Sequence, residues 1–284
     1  MNNLNIEIDF NQLDQLIELA LKEDIGNGDL TTNLLVPEFL NSKAYMKSKA
    51  EGVIAGLKVA ERVFKKLDNN IKWNQKFSDG DKIKPGDILV DFEGSYKAIL
   101  TGERTALNFL QRMSGIATAT SKFVEAVKHT KTKILDTRKT VPGLRMLDKY
   151  SVKMGGGKNH RIGLYDMVLI KENHIRIAGS IKDAVRQIRS RLKPGIKIEV
   201  ETTNLSEVKE ALNSNADVIM LDNMDTEIIR QAVKVIGGRA LTEASGNINM
   251  DNVKKSAETG VDFISIGAIT HSVTTLDIAL YVSM

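Results

Sequence analysis

The second half of the chain alternates short apolar runs with segments whose apolar residues recur at helical spacing. Because buried strands that alternate with amphipathic helices are typical of a parallel sheet covered by helices, this pattern predicts repeated β–α units. The middles of the last four runs lie 21 to 23 residues apart, which is the spacing of compact units of this kind. The six predicted strands cover residues 133–139, 167–173, 197–202, 218–223, 239–246 and 263–268.

Six such units are fewer than the eight of a complete α/β barrel. We therefore predict an α/β fold with an incomplete barrel of about six strands, and we keep an open doubly wound sheet as the alternative. Both folds bind ligands at the carboxyl ends of their strands, and polar, charged or small residues occupy those ends here. The residues at these ends are Thr137, Arg138, Lys139, Lys171, Glu172, Asn173, Glu201, Asp222, Asn223, Glu243, Ala244, Ser245, Gly246, Asn247, Ser265, Ile266, Gly267 and Ala268.

The first part of the chain has a different pattern. Apolar residues at helical spacing within residues 13–21 predict an amphipathic helix. Strands are predicted within residues 42–54 and, between Gly-Asp turns, within residues 71–99, with a helix near residues 57–67 between them. This segment does not fit the later β–α repeat, so we expect it to form a separate α+β sandwich.

A long helical segment at residues 101–128 connects the two parts, with a predicted interruption near Ser114 and Gly115. We therefore predict two domains. The sandwich covers residues 1–112, with part of the C-terminal tail as a candidate to pack on it, and the barrel covers residues 113–284.

The positive charge of the chain is concentrated in one segment. The net charge of the 284 residues is +4, yet residues 131–171 contain ten basic and three acidic residues, so the rest of the chain is slightly acidic. General nucleic-acid binding requires an extended basic face, which this distribution does not provide. Because glycines interrupt the basic segment, we interpret it as a loop that meets a small polyanion rather than as a solvated helix face.

Composition limits the classes of protein further. With 42% hydrophobic and 27% charged residues, the sequence is typical of a globular protein. It contains no cysteine, which excludes disulfides, cysteine-bound zinc and a thiol nucleophile. No apolar run approaches the roughly 18 residues of a membrane span, and the N-terminus lacks the pattern of a secretory signal, so we expect a cytoplasmic protein without a membrane partner.

Five residues able to carry positive charge lie at the predicted strand ends or in the loop before the second strand: Arg138, Lys139, His160, Arg161 and Lys171. Arginine binds carboxylates and phosphates in bidentate fashion and lysine supplies a point charge, so the set suits a ligand with more than one acidic group. His160 fits two interpretations. It is either a core histidine or, because it follows three glycines beside Arg161, a donor to the anion.

Glu201 and Asp222 end the third and fourth predicted strands. Neighbouring strands bring such carboxylates within several ångströms, so they suit an acid–base pair, a Mg²⁺ site or acceptors for sugar hydroxyls. The small residues at 245–247 and 265–268 end the last two strands, which is a frequent phosphate site in α/β barrels. The set as a whole predicts that a phosphorylated sugar reacts with an acidic co-substrate.

The motifs that carry these residues resemble a known family. Residues 135–174 read LDTRKTVPGLRMLDKYSVKMGGGKNHRIGLYDMVLIKENH, and EVE (199–201), LDN (221–223), EASGNI (243–248) and ISIGAITHS (264–272) follow. Upstream stand KEDIGNGDLTT (22–32) and GERTALNFLQRMSGIAT (102–118). Over nearly the whole chain, these motifs resemble the quinolinate phosphoribosyltransferase family.

The resemblance implies a reaction and an assembly. Phosphoribosyl is transferred from phosphoribosyl pyrophosphate to quinolinate with decarboxylation, which gives nicotinate mononucleotide, pyrophosphate and CO₂ in NAD biosynthesis. It also implies an N-terminal sandwich plus an incomplete barrel in a homodimer or larger assembly, in which the N-terminal domain of a neighbour closes each barrel mouth. Arg104 then reaches the quinolinate of the adjacent subunit. From spacing alone, Arg104 is instead a surface charge.

Site residues are carried over one by one. The resemblance implies that quinolinate is bound by Arg104, Arg138, His160, Arg161 and Lys171. It assigns phosphoribosyl pyrophosphate and Mg²⁺ to Lys139, Glu201 and Asp222, the expected catalytic residues, with the two carboxylates contacting the metal through the substrate pyrophosphate. It assigns the 5-phosphate to Ser245, Gly246, Asn247 and Gly267; Thr137, Ile266 and Ala268 are neighbours expected in the same site.

Three alternatives remain open. A related phosphoribosyltransferase could act on nicotinate or another acidic aromatic, although a wall of cations suits two carboxylates better. A glycoside hydrolase could use Glu201 and Asp222 as its pair, but it has no use for so many cations, and aromatic residues for sugar stacking are only 5% of the chain. A non-catalytic anion-binding protein is the third alternative.

Overall fold

The computed structural model describes residues 7–283. Its helices are α1 (Phe10–Ile25), α2 (Leu30–Leu35), α3 (Leu57–Leu67), α4 (Tyr96–Val127), α5 (Arg145–Met154), α6 (Glu172–Ala178), α7 (Ile181–Arg189), α8 (Leu205–Asn213), α9 (Thr226–Ile236), α10 (Val253–Ala257) and α11 (Ala268–His271). Its strands are β1 (Asn41–Ser48), β2 (Gly52–Val53), β3 (Lys72–Gln75), β4 (Lys82–Ile83), β5 (Ile88–Ser95), β6 (Lys133–Leu135), β7 (Val168–Ile170), β8 (Ile198–Thr202), β9 (Val218–Asp222), β10 (Leu241–Ser245), β11 (Phe263–Ser265) and β12 (Ile278–Ser283). These elements form two compact units.

One unit consists of residues 122–140 and 157–272 and contains the six predicted strands. They form one parallel sheet in the order β6-β11-β10-β9-β8-β7. From β7 to β11 each strand pairs with the next in the chain, and β6 then pairs with β11. A doubly wound sheet reverses its order at a switch point, whereas this order winds in one direction, so the α/β fold with an incomplete barrel is confirmed.

Apolar residues explain why these short segments are strands. β9 is buried over Val218–Leu221, and the alternating helices turn an apolar stripe toward the sheet, as Ile229, Ala232 and Ile236 do on α9. Three of these helices, α7, α8 and α9, also begin at a residue whose side chain caps the helix. Asp225 accepts a hydrogen bond from the main-chain N–H of Ile228 and thereby caps α9. Because all six strands are parallel, their carboxyl ends, which carry the polar residues, lie at one edge of the sheet.

The other unit consists of residues 7–121, 141–156 and 273–283. It contains an antiparallel sheet in the order β12-β1-β5-β3 and the small pair β2-β4. Its core includes Phe64 of α3, Leu13 of α1 and Met46 of β1, all fully buried. The predicted α+β sandwich is present, and the C-terminal strand β12 pairs with β1.

The contacts divide the chain differently from the predicted boundary at residues 112 and 113. Residues 113–121 and 141–156 belong with the N-terminal unit. The basic segment at 131–171 is therefore not one loop: it contains α5, on which Lys149 is fully buried and Asp148 pairs with Arg112 at 2.8 Å. Its interpretation as a single anion-binding loop is wrong, because side chains of α5 pack in the other unit.

The predicted interruption of the long helix is also wrong, because α4 runs without a break through Ser114 and Gly115. A Cβ atom at Gly115 would lie 2.3 Å from the carbonyl oxygen of Thr274, so this glycine permits a close backbone approach. The Ser114 hydroxyl accepts a hydrogen bond from the Ala55 N–H at 3.1 Å. Tertiary contacts therefore explain both residues. Within residues 7–283, no helix combines the length and apolarity that crossing a membrane requires.

Candidate active site

A cavity of about 480 Å³ lies at the carboxyl ends of the parallel strands. Eleven of the residues predicted from the sequence line it: Thr137, Arg138, Lys139, His160, Arg161, Lys171, Glu201, Asp222, Ser245, Gly246 and Asn247. The winding of the sheet explains this convergence, because the carboxyl ends of parallel strands share one edge. The structure therefore brings most of the predicted site together.

Four predicted residues do not line this cavity. Ile266 is buried and directly follows β11, Gly267 is the N-cap of α11, and Ala268 is the first residue of that helix. Gly267 nevertheless adjoins the site, since a Cβ atom there would lie 3.1 Å from Cδ of Lys139. Arg104 is an exposed residue of α4 in the other unit.

Two arginines form the most constrained part of the cavity wall. The Nε atom of Arg138 is buried and has no hydrogen-bond partner among residues 7–283. Arg161 is 8% exposed, and burial together with the nearby charge of Arg138 lowers the pKa of its guanidinium. Placing two like charges side by side with a donor unsatisfied costs free energy. An anionic ligand supplies the missing acceptor and the compensating charge.

Main-chain hydrogen bonds hold the segment that carries Arg161. Asp136, which follows β6 and is fully buried, accepts from the His160 N–H at 2.9 Å and from Nδ2 of Asn159 at 2.5 Å. After Arg161, the carboxylate of Asp166 accepts from the N–H groups of the next two residues. Nη1 of Arg161 donates to the Met167 carbonyl at 3.1 Å. The guanidinium is thus anchored on one side and open to the cavity on the other.

His160 lines the cavity, but both of its ring nitrogens face protein atoms. Nδ1 accepts the Arg161 N–H at 2.8 Å, and Nε2 lies 3.0 Å from Oε2 of Glu199. The residue is 5% exposed. Of the two interpretations of His160, the core histidine describes this environment. Direct donation from the ring to an anionic ligand would require one of these contacts to open.

Two buried carboxylates, Glu199 and Glu243, received no role from the sequence, although Glu243 stood among the predicted strand ends. Both are fully buried, and Glu243 lines the cavity. Burial raises the pKa of Glu199 to about 7; burial and the carboxylate of Glu199 raise the pKa of Glu243 to about 8. The sequence did contain a signal, because both stand as isolated carboxylates within apolar strands. Leu169 and Met220 complete the lining and were not predicted, whereas Asn223 and Ser265, which also line the cavity, stood at predicted strand ends.

The two predicted carboxylates stand at the rim of the cavity and are partly exposed. Nζ of Lys171, at the start of α6, lies 3.0 Å from Oε2 of Glu201 on β8. Oδ2 of Asp222 accepts from Nδ2 of Asn223 at 2.8 Å. Each carboxylate thus has a partner on one side and retains exposed surface toward the cavity.

Small residues after β10 form a tight corner with Asn223. Gly246 has a φ of +94°, and a Cβ atom there would lie 2.2 Å from Oδ1 of Asn223. Asn223 and Asn247 also have positive φ, and Nδ2 of Asn247 donates to Oδ1 of Asn223 at 3.1 Å. Only glycine allows the backbone to approach this closely, which is the geometry that phosphate-binding loops use.

The metal-binding potential of the site has two parts. Among residues 7–283, the cluster with three candidate ligands within 4.8 Å of one another is His160, Glu199 and Glu243. It is fully enclosed and includes a nitrogen ligand, whereas Mg²⁺ prefers oxygen and retains water. Glu201 and Asp222 offer carboxylate oxygens at an open rim. They therefore fit a Mg²⁺ ion that is held mainly by substrate oxygens and water.

The chain matches two family models over most of its length. "Quinolinate phosphoribosyl transferase, N-terminal domain" matches residues 29–114, and "Quinolinate phosphoribosyl transferase, C-terminal domain" matches residues 116–281. The match covers both units and all fifteen predicted site residues.

Individual proteins are similar over nearly the whole chain. A probable nicotinate-nucleotide pyrophosphorylase (carboxylating) of Bacillus subtilis (strain 168) is 42% identical over 96% of this chain and 94% of its own. A Nicotiana tabacum protein named quinolinate phosphoribosyltransferase (decarboxylating) 2b, mitochondrial, is 43% identical over 94% of this chain and 81% of its own. The solved structure of the nicotinate-nucleotide pyrophosphorylase from Francisella tularensis is 42% identical, has a TM-score of 0.94 and covers 98% of both chains.

Proposed function

Because the chain belongs to the quinolinate phosphoribosyltransferase family, we propose that it transfers phosphoribosyl from phosphoribosyl pyrophosphate to quinolinate. The products are nicotinate mononucleotide, pyrophosphate and CO₂, as in the formation of NAD. One observation carries the proposal for this chain. Arg138 and Arg161 are held together at the cavity wall, with the Arg138 Nε buried and lacking a partner among residues 7–283. A dicarboxylate supplies acceptors for both guanidinium groups.

Quinolinate binding involves the cationic wall. Arg138 and Arg161 bind carboxylate oxygens, and Lys171 adds a mobile charge at the rim. The main-chain contacts that anchor Arg161 hold it in place before substrate arrives, so the ring nitrogen of quinolinate can face the sugar in a reactive orientation. Positioning of this kind lowers the barrier, because the ordering of the reactants is achieved on binding.

Phosphoribosyl pyrophosphate occupies the opposite part of the cavity. Ser245, Gly246 and Asn247 hold the 5-phosphate through main-chain N–H groups, since this corner brings the backbone close to the ligand. Glu201 and Asp222 accept hydrogen bonds from the ribose hydroxyls and stabilise positive charge that develops on the sugar. Lys139 is exposed in the loop that follows β6 and neutralises the departing pyrophosphate.

The reaction needs no nucleophile from the protein. The pyridine nitrogen forms a bond to the anomeric carbon as the bond from that carbon to pyrophosphate oxygen breaks. The bond between the ring and the 2-carboxyl group then breaks, CO₂ leaves, and its electron pair remains on the ring carbon next to the positively charged nitrogen. A proton from solvent completes the product. The chain's residues bind, orient and neutralise charge throughout.

Mg²⁺ belongs to this proposal as a partner of phosphoribosyl pyrophosphate. When bound, it supplies charge neutralisation for the pyrophosphate leaving group. Glu201 and Asp222 would hold it, mainly through substrate oxygens and water. Their partly exposed carboxylates at the cavity rim support this assignment.

Assembly into a homodimer or larger oligomer is supported by exposed apolar side chains. On α2 and just after it, Leu34 is 83% and Phe39 is 88% exposed, and Leu30 and Leu35 are similarly open. A contiguous set of exposed apolar side chains usually marks an interaction surface. In such an assembly we place Arg104 in the quinolinate site of the neighbouring subunit.

The compartment stays a prediction. We propose the cytoplasm, although the name of the tobacco relative places that protein in mitochondria. Fractionation of the source cells with antibodies to the chain would decide between the two locations.

The activity is tested with the purified chain, quinolinate, phosphoribosyl pyrophosphate and Mg²⁺. We expect stoichiometric release of CO₂ and formation of nicotinate mononucleotide. A parallel reaction with nicotinate in place of quinolinate is the control, because nicotinate has only one carboxylate. Product from nicotinate with none from quinolinate would overturn the proposal in favour of the related transferase. Sugar hydrolysis without transfer would overturn it in favour of a hydrolase.

A further inference from the structure

Two buried carboxylates lie behind the cationic wall, and the reaction described above uses neither of them. Glu199 on β8 and Glu243 on β10 are both fully buried. None of their four carboxylate oxygens makes a well-aligned hydrogen bond within residues 7–283. The Nε2 atom of His160 is 3.0 Å from Glu199 Oε2 and 3.6 Å from Glu243 Oε2. Burying two carboxylates costs free energy unless charge pairing and hydrogen bonds offset the loss of solvation.

The contacts of His160 determine which ring nitrogen carries its proton. Because the Arg161 N–H donates to Nδ1 at 2.8 Å, Nδ1 is an acceptor and has no proton of its own. The proton of the neutral ring is therefore on Nε2, which faces Glu199 at 3.0 Å. An acceptor at Glu199 selects the tautomer that allows the ring to hold the backbone of Arg161.

Arg161 links this arrangement to substrate. Its main-chain N–H is fixed by His160, its Nη1 donates to the Met167 carbonyl at 3.1 Å, and its guanidinium lines the cavity. A ring in the other tautomer would turn an N–H toward the Arg161 N–H. The two donors would then repel, and the backbone that carries the guanidinium would move.

We propose that Glu199 is a positioning residue for the acidic substrate: its carboxylate, 3.0 Å from Nε2 of His160, stabilises the ring with its proton on Nε2, and that ring in turn fixes the main chain of Arg161 and thus the direction of its guanidinium. The ligand that Arg161 meets is quinolinate, so the inference rests on the proposed function for that identity. Glu199 touches neither substrate. It acts through two contacts in series, the electrostatic contact with Nε2 of His160 and the hydrogen bond from the Arg161 N–H to Nδ1, as residues behind metal-binding histidines do.

The kinetic test compares Glu199→Leu, which lacks an acceptor, with Glu199→Gln, whose amide oxygen can accept from Nε2 while its NH₂ group faces Glu243. Removing an acceptor that orients a binding residue typically costs on the order of tenfold in affinity. We expect Glu199→Leu to raise KM for quinolinate at least about tenfold, with less than about a twofold change in kcat and in KM for phosphoribosyl pyrophosphate. Glu199→Gln should restore KM to within about threefold of the unmodified chain.

Asp148→Asn is the matched control for destabilisation, because Asp148 is also a buried carboxylate but lies on α5 in the other unit. We expect no selective change in KM for quinolinate. Equal changes in both KM values for Glu199→Leu, or equal losses in the Leu and Gln variants, would overturn the positioning role.

A second measurement does not depend on whether Glu199→Leu folds. The chain has four histidines, so nitrogen NMR of the histidine-labelled full chain can assign His160 by comparison with His160→Gln. We expect the tautomer with the proton on Nε2, and the opposite tautomer would overturn the inference. Stoichiometric bound zinc or manganese that is lost in Glu243→Gln would also overturn it, since Nε2 would then be a metal ligand without a proton. A wild-type chain without activity would count against the proposed function alone.

Discussion

Lys171 and Glu201, which the proposed function assigns to different substrates, are paired with each other: Nζ lies 3.0 Å from Oε2. The Lys171 side chain is half exposed, so the pair contributes at most about 1 kcal/mol. It is therefore weak enough to open when an anion binds Lys171 and a sugar hydroxyl approaches Glu201.

The first prediction concerns Glu201→Gln. Loss of the negative charge weakens the hydrogen bonds to the ribose and the stabilisation of positive charge on the sugar, and it releases Lys171, so the two substrates should respond differently. We expect kcat/KM for phosphoribosyl pyrophosphate to fall by about 10–100-fold, while KM for quinolinate stays level or decreases. Steady-state kinetics with each substrate varied in turn measures both. Glu227→Gln, which removes the carboxylate of an exposed pair with Arg230, is the control. A selective rise in KM for quinolinate would contradict the assignment.

The second prediction concerns Arg161→Ala. Because the guanidinium is anchored and faces the cavity, its loss should cost about 2–4 kcal/mol of transition-state binding, or about 30–1,000-fold in kcat/KM for quinolinate. KM for phosphoribosyl pyrophosphate should change much less. Arg186→Ala removes an arginine from an exposed pair with Asp183 and should leave both parameters unchanged. Near-normal quinolinate kinetics in Arg161→Ala would show that this arginine does not bind the dicarboxylate.

The third prediction concerns Gly246→Ala, in which the new methyl group meets Oδ1 of Asn223 at 2.2 Å. The corner must open, so KM for phosphoribosyl pyrophosphate should rise about tenfold or more, with a smaller effect on quinolinate. Gly195→Ala is a matched control, because Gly195 also has a positive φ but nothing lies within 4 Å of its Cβ position. It should lower stability by about 1 kcal/mol through backbone strain and leave both KM values unchanged. Similar kinetics in the two variants would exclude a phosphate-binding role for the corner.

The fourth prediction concerns Arg104. If this exposed residue of α4 completes the site of a neighbouring subunit, Arg104→Ala and Arg161→Ala should each retain only a small residual activity alone, at least about 30-fold below wild type at low quinolinate. Mixing equal amounts of the two after dissociation should restore about a quarter of the wild-type activity. About half of the dimers are then mixed, and each mixed dimer contains one intact site out of two. Size-exclusion chromatography and differently tagged subunits verify that mixed dimers form. Mixed dimers without activity would place Arg104 outside the site.

The fifth prediction concerns stability and pH. Burial raises the folded-state pKa of Glu243 to about 8, above its unfolded value near 4.5. Between these values the folded chain keeps a proton that the unfolded chain has lost, so stability falls as pH rises, by up to about 1.4 kcal/mol per pH unit. Glu243→Gln stays neutral and should lose less stability from pH 5.5 to pH 8. Thermal unfolding at several pH values measures this. Parallel curves for the two proteins would contradict the raised pKa.

Most of the fold and of the site could be predicted because both depend on local sequence patterns. Recurring apolar runs identified all six parallel strands; the residues at their ends supplied nine of the eleven predicted site residues that line the cavity, and the loop before the second strand supplied His160 and Arg161. Gly115 shows where such reasoning fails. In sequence it resembles a helix break, but its lack of a side chain serves contact with Thr274.

The sequence by itself determined the alternation of strands and helices, the polar strand ends and the family motifs, since each of these is a property of neighbouring residues. The tertiary structure decided how distant residues combine. It placed α5, which is part of the basic segment, in the other unit. It also paired Lys171 with Glu201 and enclosed His160 between Arg161 and Glu199. The physical reason is that burial and charge pairing depend on strands that are far apart in sequence, and these become neighbours only when the sheet winds.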